Sequence, residues 1–384
     1  MAKMRVCAET LRAQLGRSPA VAILGPRQSG KSTLARMAFP DFHFLDLEDQ
    51  RDFDRIAADP VFILAEHSRI VLDEAQRLPA LFPALRVHID RNPKSRIVLL
   101  GSASPSLFRG ISESLTGRVT FFDLSGVSIL EEDAAALWVR GSFPRIHWAR
   151  PRPNPAEWYS AYLRSVLEQD IPQLGYRLPA LRLWNLLTMI AHGQGGVCNL
   201  SELGGSLGVT YHTVADTLDL LDGVFLVRRL RPFYANIGKR LVKSPKLYLR
   251  DTGILHALLG VEFTKKALYG HPKVGASFET FCIEQIIAHA RLADPRAEAY
   301  YYRTQTGVEV DLVLRLRGKL VAIEVKLGVT PPPTTAIETC MRDLGIETAY
   351  IVSMTEEPVA LRPRIEMVNL DTLLRRLRLI PRKR

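Results

Sequence analysis

The chain is 384 residues long and poor in cysteine: Cys7, Cys198, Cys282 and Cys340 stand far apart in the sequence. That spacing excludes a disulfide framework and a thiolate zinc site, and predicts four small buried side chains instead. Nowhere does the chain hold an apolar run of transmembrane length, and residues 1–17 lack the apolar stretch of a signal peptide. A soluble, cytoplasmic protein with no membrane partner is therefore expected. Internal repeats are also absent. What the chain has instead is core material, with 47% hydrophobic residues, enough for two or three domains. The formal net charge is +11, and residues 151–270 carry the largest basic excess, 14 basic against 9 acidic. That balance is compatible with nucleic acid and equally with a solvated surface. The end of the chain, Arg375, Arg376 and Arg378 followed by Arg382, Lys383 and Arg384, forms a basic tail.

Val21, Ala22, Ile23 and Leu24 read as a buried parallel strand feeding into Gly25, Pro26, Arg27, Gln28, Ser29, Gly30, Lys31 and Ser32. This is G-x-x-x-x-G-K-S, a complete Walker A phosphate loop. Glycines let backbone N–H groups wrap phosphates, the lysine carries a compact positive charge to the outer phosphates, and Ser32 offers a hydroxyl to Mg²⁺. A helix opening at Thr33 aims its N-terminal dipole at the same anion. Downstream, Arg69, Ile70, Val71 and Leu72 lead to Asp73 and Glu74, an apolar strand ending in two carboxylates, as a Walker B does. Asp73 is the candidate for Mg²⁺ through water. Glu74 is the candidate for orienting or deprotonating the attacking water, or else a helix-capping acid. A third apolar strand, 96–100, ends at Ser102, either a sensor of the γ-phosphate or an ordinary turn former. Arg118 is either an arginine finger supplied to a neighbouring copy or a surface arginine. Strand and helix alternate through Phe122, which predicts a parallel sheet wrapped by helices.

Residues 199–207 and 211–221 read as two helices around a turn at Gly208, followed by two strand-like runs that flank the basic segment 239–243. This is the pattern of a winged helix-turn-helix. Its second helix carries Asp216, Asp219 and Asp222, which repel phosphate. DNA contact would then fall to Tyr211, His212 and Thr213, with Arg228, Lys239 and Arg240 on the wing; packing or protein contact is the alternative. In the last segment Asp311 sits within an apolar strand, and Glu324 and Lys326 share one face of the next. Two carboxylates can bind Mg²⁺ and a lysine can help activate water, with Glu279 from the preceding helix completing an acidic cluster. The alternative is an exposed pair on a strand edge.

With the segments 25–32, 72–76, 114–118 and 244–253 in view, the chain resembles prokaryotic ATPases of the AAA-type superfamily that carry a C-terminal domain of unknown function. The match covers nearly the whole chain, and Ser32 stands where threonine is commoner. The resemblance implies ATP binding and hydrolysis with Mg²⁺, and possible assembly into a homo-oligomer. The pattern Gly275, Glu279, Asp311, Glu324 and Lys326 is similar to PD-(D/E)XK nuclease folds. The fold class expected is α/β: a P-loop NTPase parallel sheet over residues 1–125, a helical connector with a winged helix-turn-helix over 126–270, and an α/β restriction-endonuclease-like domain over 271–384. Double-stranded DNA is the macromolecular partner to consider. A small-molecule kinase is the weaker alternative, because an acid beside Asp73 suits water and no acceptor pocket is evident.

Overall fold

A computed structural model describes residues 3–101, 111, 113–176, 178–233 and 242–380. Ser102, Lys239, Arg240 and the basic residues Arg382, Lys383 and Arg384 lie outside these described residues. The first sheet is built on β1 (Ala20–Leu24), whose residues are all buried because helices cover both faces. Around it stand β2 (His43–Asp46), β3 (Arg69–Asp73), β4 (Arg96–Gly101) and β5 (Val119–Asp123), in the order β2-β3-β4-β1-β5. Every pairing is parallel. Parallel strands end together, so the segments leaving Leu24 and Asp73 open at one edge of the sheet. Helix α1 (Lys31–Ala38) follows β1, and α2 (Leu81–Arg91) lies between β3 and β4.

The middle of the chain is helical. α3 (Pro155–Ser165) buries Tyr159, Tyr162 and Leu163, then runs on through a π-type turn, Val166–Asp170. α4 (Leu200–Leu207) is capped by Asn199, and Gly208, at φ 64°, ends it in the left-handed conformation that favours glycine. α5 (Tyr211–Gly223) is capped by the Thr210 hydroxyl, which accepts from Thr213 N at 3.2 Å. Both helices and the turn between them stand where the sequence pattern places them. β6 (Val227–Pro232) and β7 (Lys246–Leu249) then form an antiparallel hairpin, Val227 opposite Leu249.

That hairpin is joined to a larger sheet. β6 also pairs in parallel with β8 (Glu298–Arg303), Arg231 opposite Tyr300. The remaining strands are β9 (Glu309–Leu316), β10 (Lys319–Val325), β11 (Ala349–Val352), β12 (Val359–Arg362) and β13 (Ile365–Val368). They complete an eight-stranded sheet ordered β12-β13-β11-β10-β9-β8-β6-β7. One sheet thus runs from the hairpin after the helix-turn-helix through the whole last segment. α6 (Thr252–Leu259) and α7 (Val274–Ala293) follow β7. α7 buries Phe278, Phe281, Ile283 and Ile286 in the core of the second sheet, and its far end brings Leu292 against the core of the first. No helix among the described residues is long and apolar enough to cross a membrane. All four cysteines are buried and free, as their spacing predicts.

Candidate functional site

The segment after β1 must curl back on itself before α1 begins. Gly25 is required by crowding: a Cβ there would stand 2.7 Å from the Leu124 carbonyl oxygen. Gln28 and Gly30 both adopt positive φ, 61° and 88°, the left-handed backbone from which anion-binding nests are built. α1 starts at Lys31, so Thr33 lies exposed in its first turn and does not open the helix as the sequence pattern suggests. The Lys31 ammonium is buried and donates to the carbonyl oxygens of Gly25 at 3.1 Å and Pro26 at 2.9 Å. Burial pulls its pKa below the ordinary lysine value, while the nearby Glu74 and Asp73 oppose that fall. Pro26 and Ser29 line a cleft together with Phe143 and Arg250, and Ser29 Oγ is buried without a hydrogen-bond partner among the described residues. Arg27 points away from the loop and pairs with Asp170 in the π-type turn after α3. The Arg27 side chain thus links the loop to the helical segment, which leaves its backbone in the phosphate loop.

Asp73 ends β3 buried, and its carboxylate accepts from the Ser32 hydroxyl and from Glu74 N at 3.0 Å. Burial raises its pKa, and the Ser32 contact opposes the rise. Glu74 has a left-handed backbone at φ 51°, an uncommon conformation for a side-chain-bearing residue. Its side chain makes no cap hydrogen bond to the short helical turn Ala75–Arg77; it accepts from the Gln76 amide. Burial raises the Glu74 pKa, with Gln76 and Lys31 working against the shift. A lysine, a hydroxyl and two carboxylates thus converge at the sheet edge where the nest opens. This donor set fits Mg²⁺, a hard cation that takes oxygen ligands, through the paired Ser32 hydroxyl and Asp73 carboxylate.

Arg118 stands at the opposite edge of the sheet, before β5, where its carbonyl oxygen accepts from Ala20 N. Its guanidinium makes a two-point contact with Asp90 of α2, at 2.6 and 2.9 Å. It is remote from its own phosphate loop. Sequence reasoning also passed over Arg5 and Glu131, a buried ion pair at 2.9 Å. Arg5 bonds to the carbonyl oxygens of Gly126 at 2.7 Å and Ser29 at 3.5 Å, fixing the back of the loop.

The second cluster forms where β9 and β10 pair. Asp311 is buried, and its Oδ2 accepts from Val325 N at 3.0 Å; Glu324 Oε2 accepts from Asp311 N at 3.3 Å. Lys326 projects to the same side as Glu324 and bonds its Oε1 at 2.6 Å, as strand alternation predicts. Glu279 joins them from α7. A further cation sits among them, which the sequence pattern gave no means of placing there. Lys246 of β7 has a side chain 2% exposed, with Nζ 2.5 Å from Glu309, 3.2 Å from Asp311 and 3.6 Å from Glu279. Burial alone would lower its pKa; Asp311, Glu279 and Glu309 outweigh that and hold it above the ordinary lysine value. Tyr248 Oη donates to Glu279 at 2.5 Å. Burial, reinforced by the neighbouring Asp311, raises the pKa of both Glu279 and Glu324. Among the described residues no group of three or more His, Cys, Asp or Glu side chains is arranged to hold a metal ion. Of the three residues expected to take Mg²⁺, Glu279 and Asp311 face the Lys246 ammonium, and Glu324 faces Lys326. Arg228 is also corrected, since it is buried against Glu284 of α7 with Nη2 at 2.8 Å and does not project from the hairpin.

Residues 17–132 match the AAA domain family, and residues 131–265 and 274–373 match two families described as domains of unknown function, DUF8612 and DUF4143. Uncharacterized protein Rv2008c of Mycobacterium tuberculosis is 41% identical over 378 residues, spanning 96% of this chain and 84% of that one. Uncharacterized protein Mb2031c of Mycobacterium bovis matches with the same figures. The chain belongs to the family of these two mycobacterial proteins. The AAA domain match spans the complete phosphate loop and the strand that ends at Asp73. Among solved structures, the Walker-type ATPase PABY2304 of Pyrococcus abyssi is similar at 13% identity and a TM-score of 0.44, covering 67% of this chain and 98% of that chain.

Proposed function

We propose that this chain is a Mg²⁺-dependent ATP hydrolase whose nucleotide state is passed to the helix-turn-helix and the second sheet, which together bind DNA. One observation carries the hydrolytic part: Lys31, Ser32, Asp73 and Glu74 converge at the mouth of the nest. Lys31 would exchange its carbonyl partners for phosphate oxygens. Ser32 and Asp73 would hold Mg²⁺, which when bound neutralises charge on the phosphates. Glu74, kept apart from the metal pair by its backbone, would take the proton of the attacking water.

The route from nucleotide to binding module is supported by two contacts of the loop. Arg27 reaches Asp170 in the helical segment, and Pro26 and Ser29 line a cleft with Arg250 and with Glu284 of α7. A DNA-binding role for the helix-turn-helix is supported by Tyr211, 52% exposed at the start of α5 and packed against His212. Arg229 pairs with Asp219 at 2.5 Å and Asp222 at 3.3 Å, which offsets the acidic charge of that helix. A second reading, a nucleotide-gated protein-interaction module, is supported by the burial of Arg228 and by the pairing of β6 with β8, which ties the hairpin into the larger sheet.

A paired assay separates the readings: phosphate release from ATP with and without duplex DNA, and salt-dependent DNA binding by the full chain. DNA-stimulated turnover with binding that weakens steeply as salt rises is the expected result. ATPase activity that depends on Lys31 while DNA is not bound even at low salt would move the search to protein partners.

A further inference from the structure

The carboxylate cluster of the second sheet has the residue types of a metal-dependent nuclease, and an ammonium stands among them. We propose that Lys246 is the resident cation of this cluster, so that the module works without a divalent ion and does not cleave phosphodiesters. The inference does not depend on ATP hydrolysis by the first sheet. Mg²⁺ needs oxygen ligands at about 2.0–2.1 Å in octahedral array, with several positions kept for water. Here the Lys246 ammonium already lies 2.5–3.6 Å from oxygens of Glu309, Asp311 and Glu279. A dication on those oxygens would stand against a buried like charge.

Several of the carboxylate oxygens have further partners within the chain. Asp311 Oδ2 serves Val325 N, Glu309 Oε2 serves Arg303 at 2.8 Å, and Glu324 gives its two oxygens to Lys326 and to Asp311 N. Nor is Lys246 on a loop that can swing clear. β7 pairs with β6, and Leu247 N donates to Gly196 O at 3.0 Å while Cys198 N donates to Pro245 O at 2.8 Å, so the backbone on both sides of the lysine is tied down. A buried ammonium needs anionic partners, and a cluster of buried carboxylates needs a cation. Lys246 satisfies both demands from within the chain, across the junction between the hairpin and the β9–β10 pair.

The test is a Mn²⁺ titration of the nucleotide-free full chain, followed by the electron paramagnetic resonance signal of free Mn²⁺. Omitting nucleotide keeps the phosphate loop from assembling its own metal site. Wild type is expected to show no saturable Mn²⁺ binding up to about 1 mM. Lys246→Met, which keeps the volume and removes the charge, is expected to gain a single Mn²⁺ site that Asp311→Asn in the same background abolishes. Saturable binding by wild type, lost in Asp311→Asn, overturns the proposal, and so does a folded Lys246→Met chain that gains no site. Where Lys246→Met fails to fold, the wild-type titration decides alone. Its companion measurement, Mg²⁺- or Mn²⁺-dependent cleavage of duplex or single-stranded DNA by wild type that disappears in Asp311→Asn, would overturn the proposal as well.

Discussion

At the residue scale the site turns on Glu74, whose left-handed backbone separates it from Asp73 although the two are adjacent in sequence. The consequence is a division of labour that substitution should expose. Glu74→Gln is expected to keep ATP binding and to lower turnover by about 10²–10⁴-fold, whereas Lys31→Ala should lose nucleotide binding itself; equilibrium binding of a fluorescent ATP analogue beside steady-state phosphate release distinguishes them. The buried Glu74 carboxyl also sets a pH dependence. A base works only when deprotonated, and burial moves its pKa upward, so the acid limb of kcat/KM should fall above the ordinary glutamate range, and turnover should decline as pH drops through it. An acid limb at or below that range would show that Glu74 is not the base. Lys31, Ser32, Asp73 and Glu74 were legible in the sequence because their chemistry is written in short contiguous motifs. Lys246 was not. It stands 65 positions from Asp311 and meets it only because β7 is stitched to the second sheet, a long-range pairing that no local pattern records.

At the element scale α7 connects the two sheets. Its Glu279 faces the carboxylate cluster, its Glu284 holds Arg228 and Arg250, and its Arg291 bonds Asp123 at the end of β5 at 2.6 Å. Over these 12 positions a helix rises about 18 Å, enough to carry a shift at the phosphate loop to the second cluster. Glu284→Ala leaves two buried guanidiniums without their shared partner. A loss of about 3–5 kcal/mol is expected from chemical denaturation; a loss below about 1 kcal/mol would mean that the pairs are not structural. Two histidines give the same region an acid sensitivity. His256 bonds Val139 O and Ser277 Oγ, and His289 bonds Ser128 Oγ. Burial pushes both down to about 4. The unfolded chain therefore takes up protons near pH 6.5 that the folded chain refuses until about pH 4, so the two histidines by themselves make stability fall across that window as pH falls, against the opposite contribution of the raised Glu279 and Glu324 carboxyls. Relative to wild type, the His256→Gln, His289→Gln variant should keep more of its thermal midpoint as pH falls from 6.5 to 4; an unchanged pH dependence would contradict this. The two helices of the helix-turn-helix were legible from their caps and from Gly208. The fate of the hairpin was not, because whether a two-stranded run stands free or joins a sheet depends on a partner nearly 70 residues away.

At the scale of the whole molecule, the two sheets meet through α7, whose Arg291 bonds Asp123 of β5, and the phosphate loop shares a cleft with Arg250 and Glu284. Arg118 bears on how copies of the chain meet. It lies at the sheet edge remote from its own loop, so a finger role requires a second copy to receive it. Arg118→Ala is then expected to bind ATP normally and to turn over about 10³-fold more slowly, and wild-type turnover per chain should rise with protein concentration. Unchanged turnover would leave Arg118 as the surface partner of Asp90. The central claim is that nucleotide at the phosphate loop is sensed in the second sheet. Hydrogen exchange on the Glu74→Gln chain, with and without ATP and Mg²⁺, tests it most directly. Protection is predicted at residues 25–33 and, beyond the first sheet, along 246–253 and α7. Protection confined to the loop would contradict the account, leaving two domains that share a chain and do not communicate.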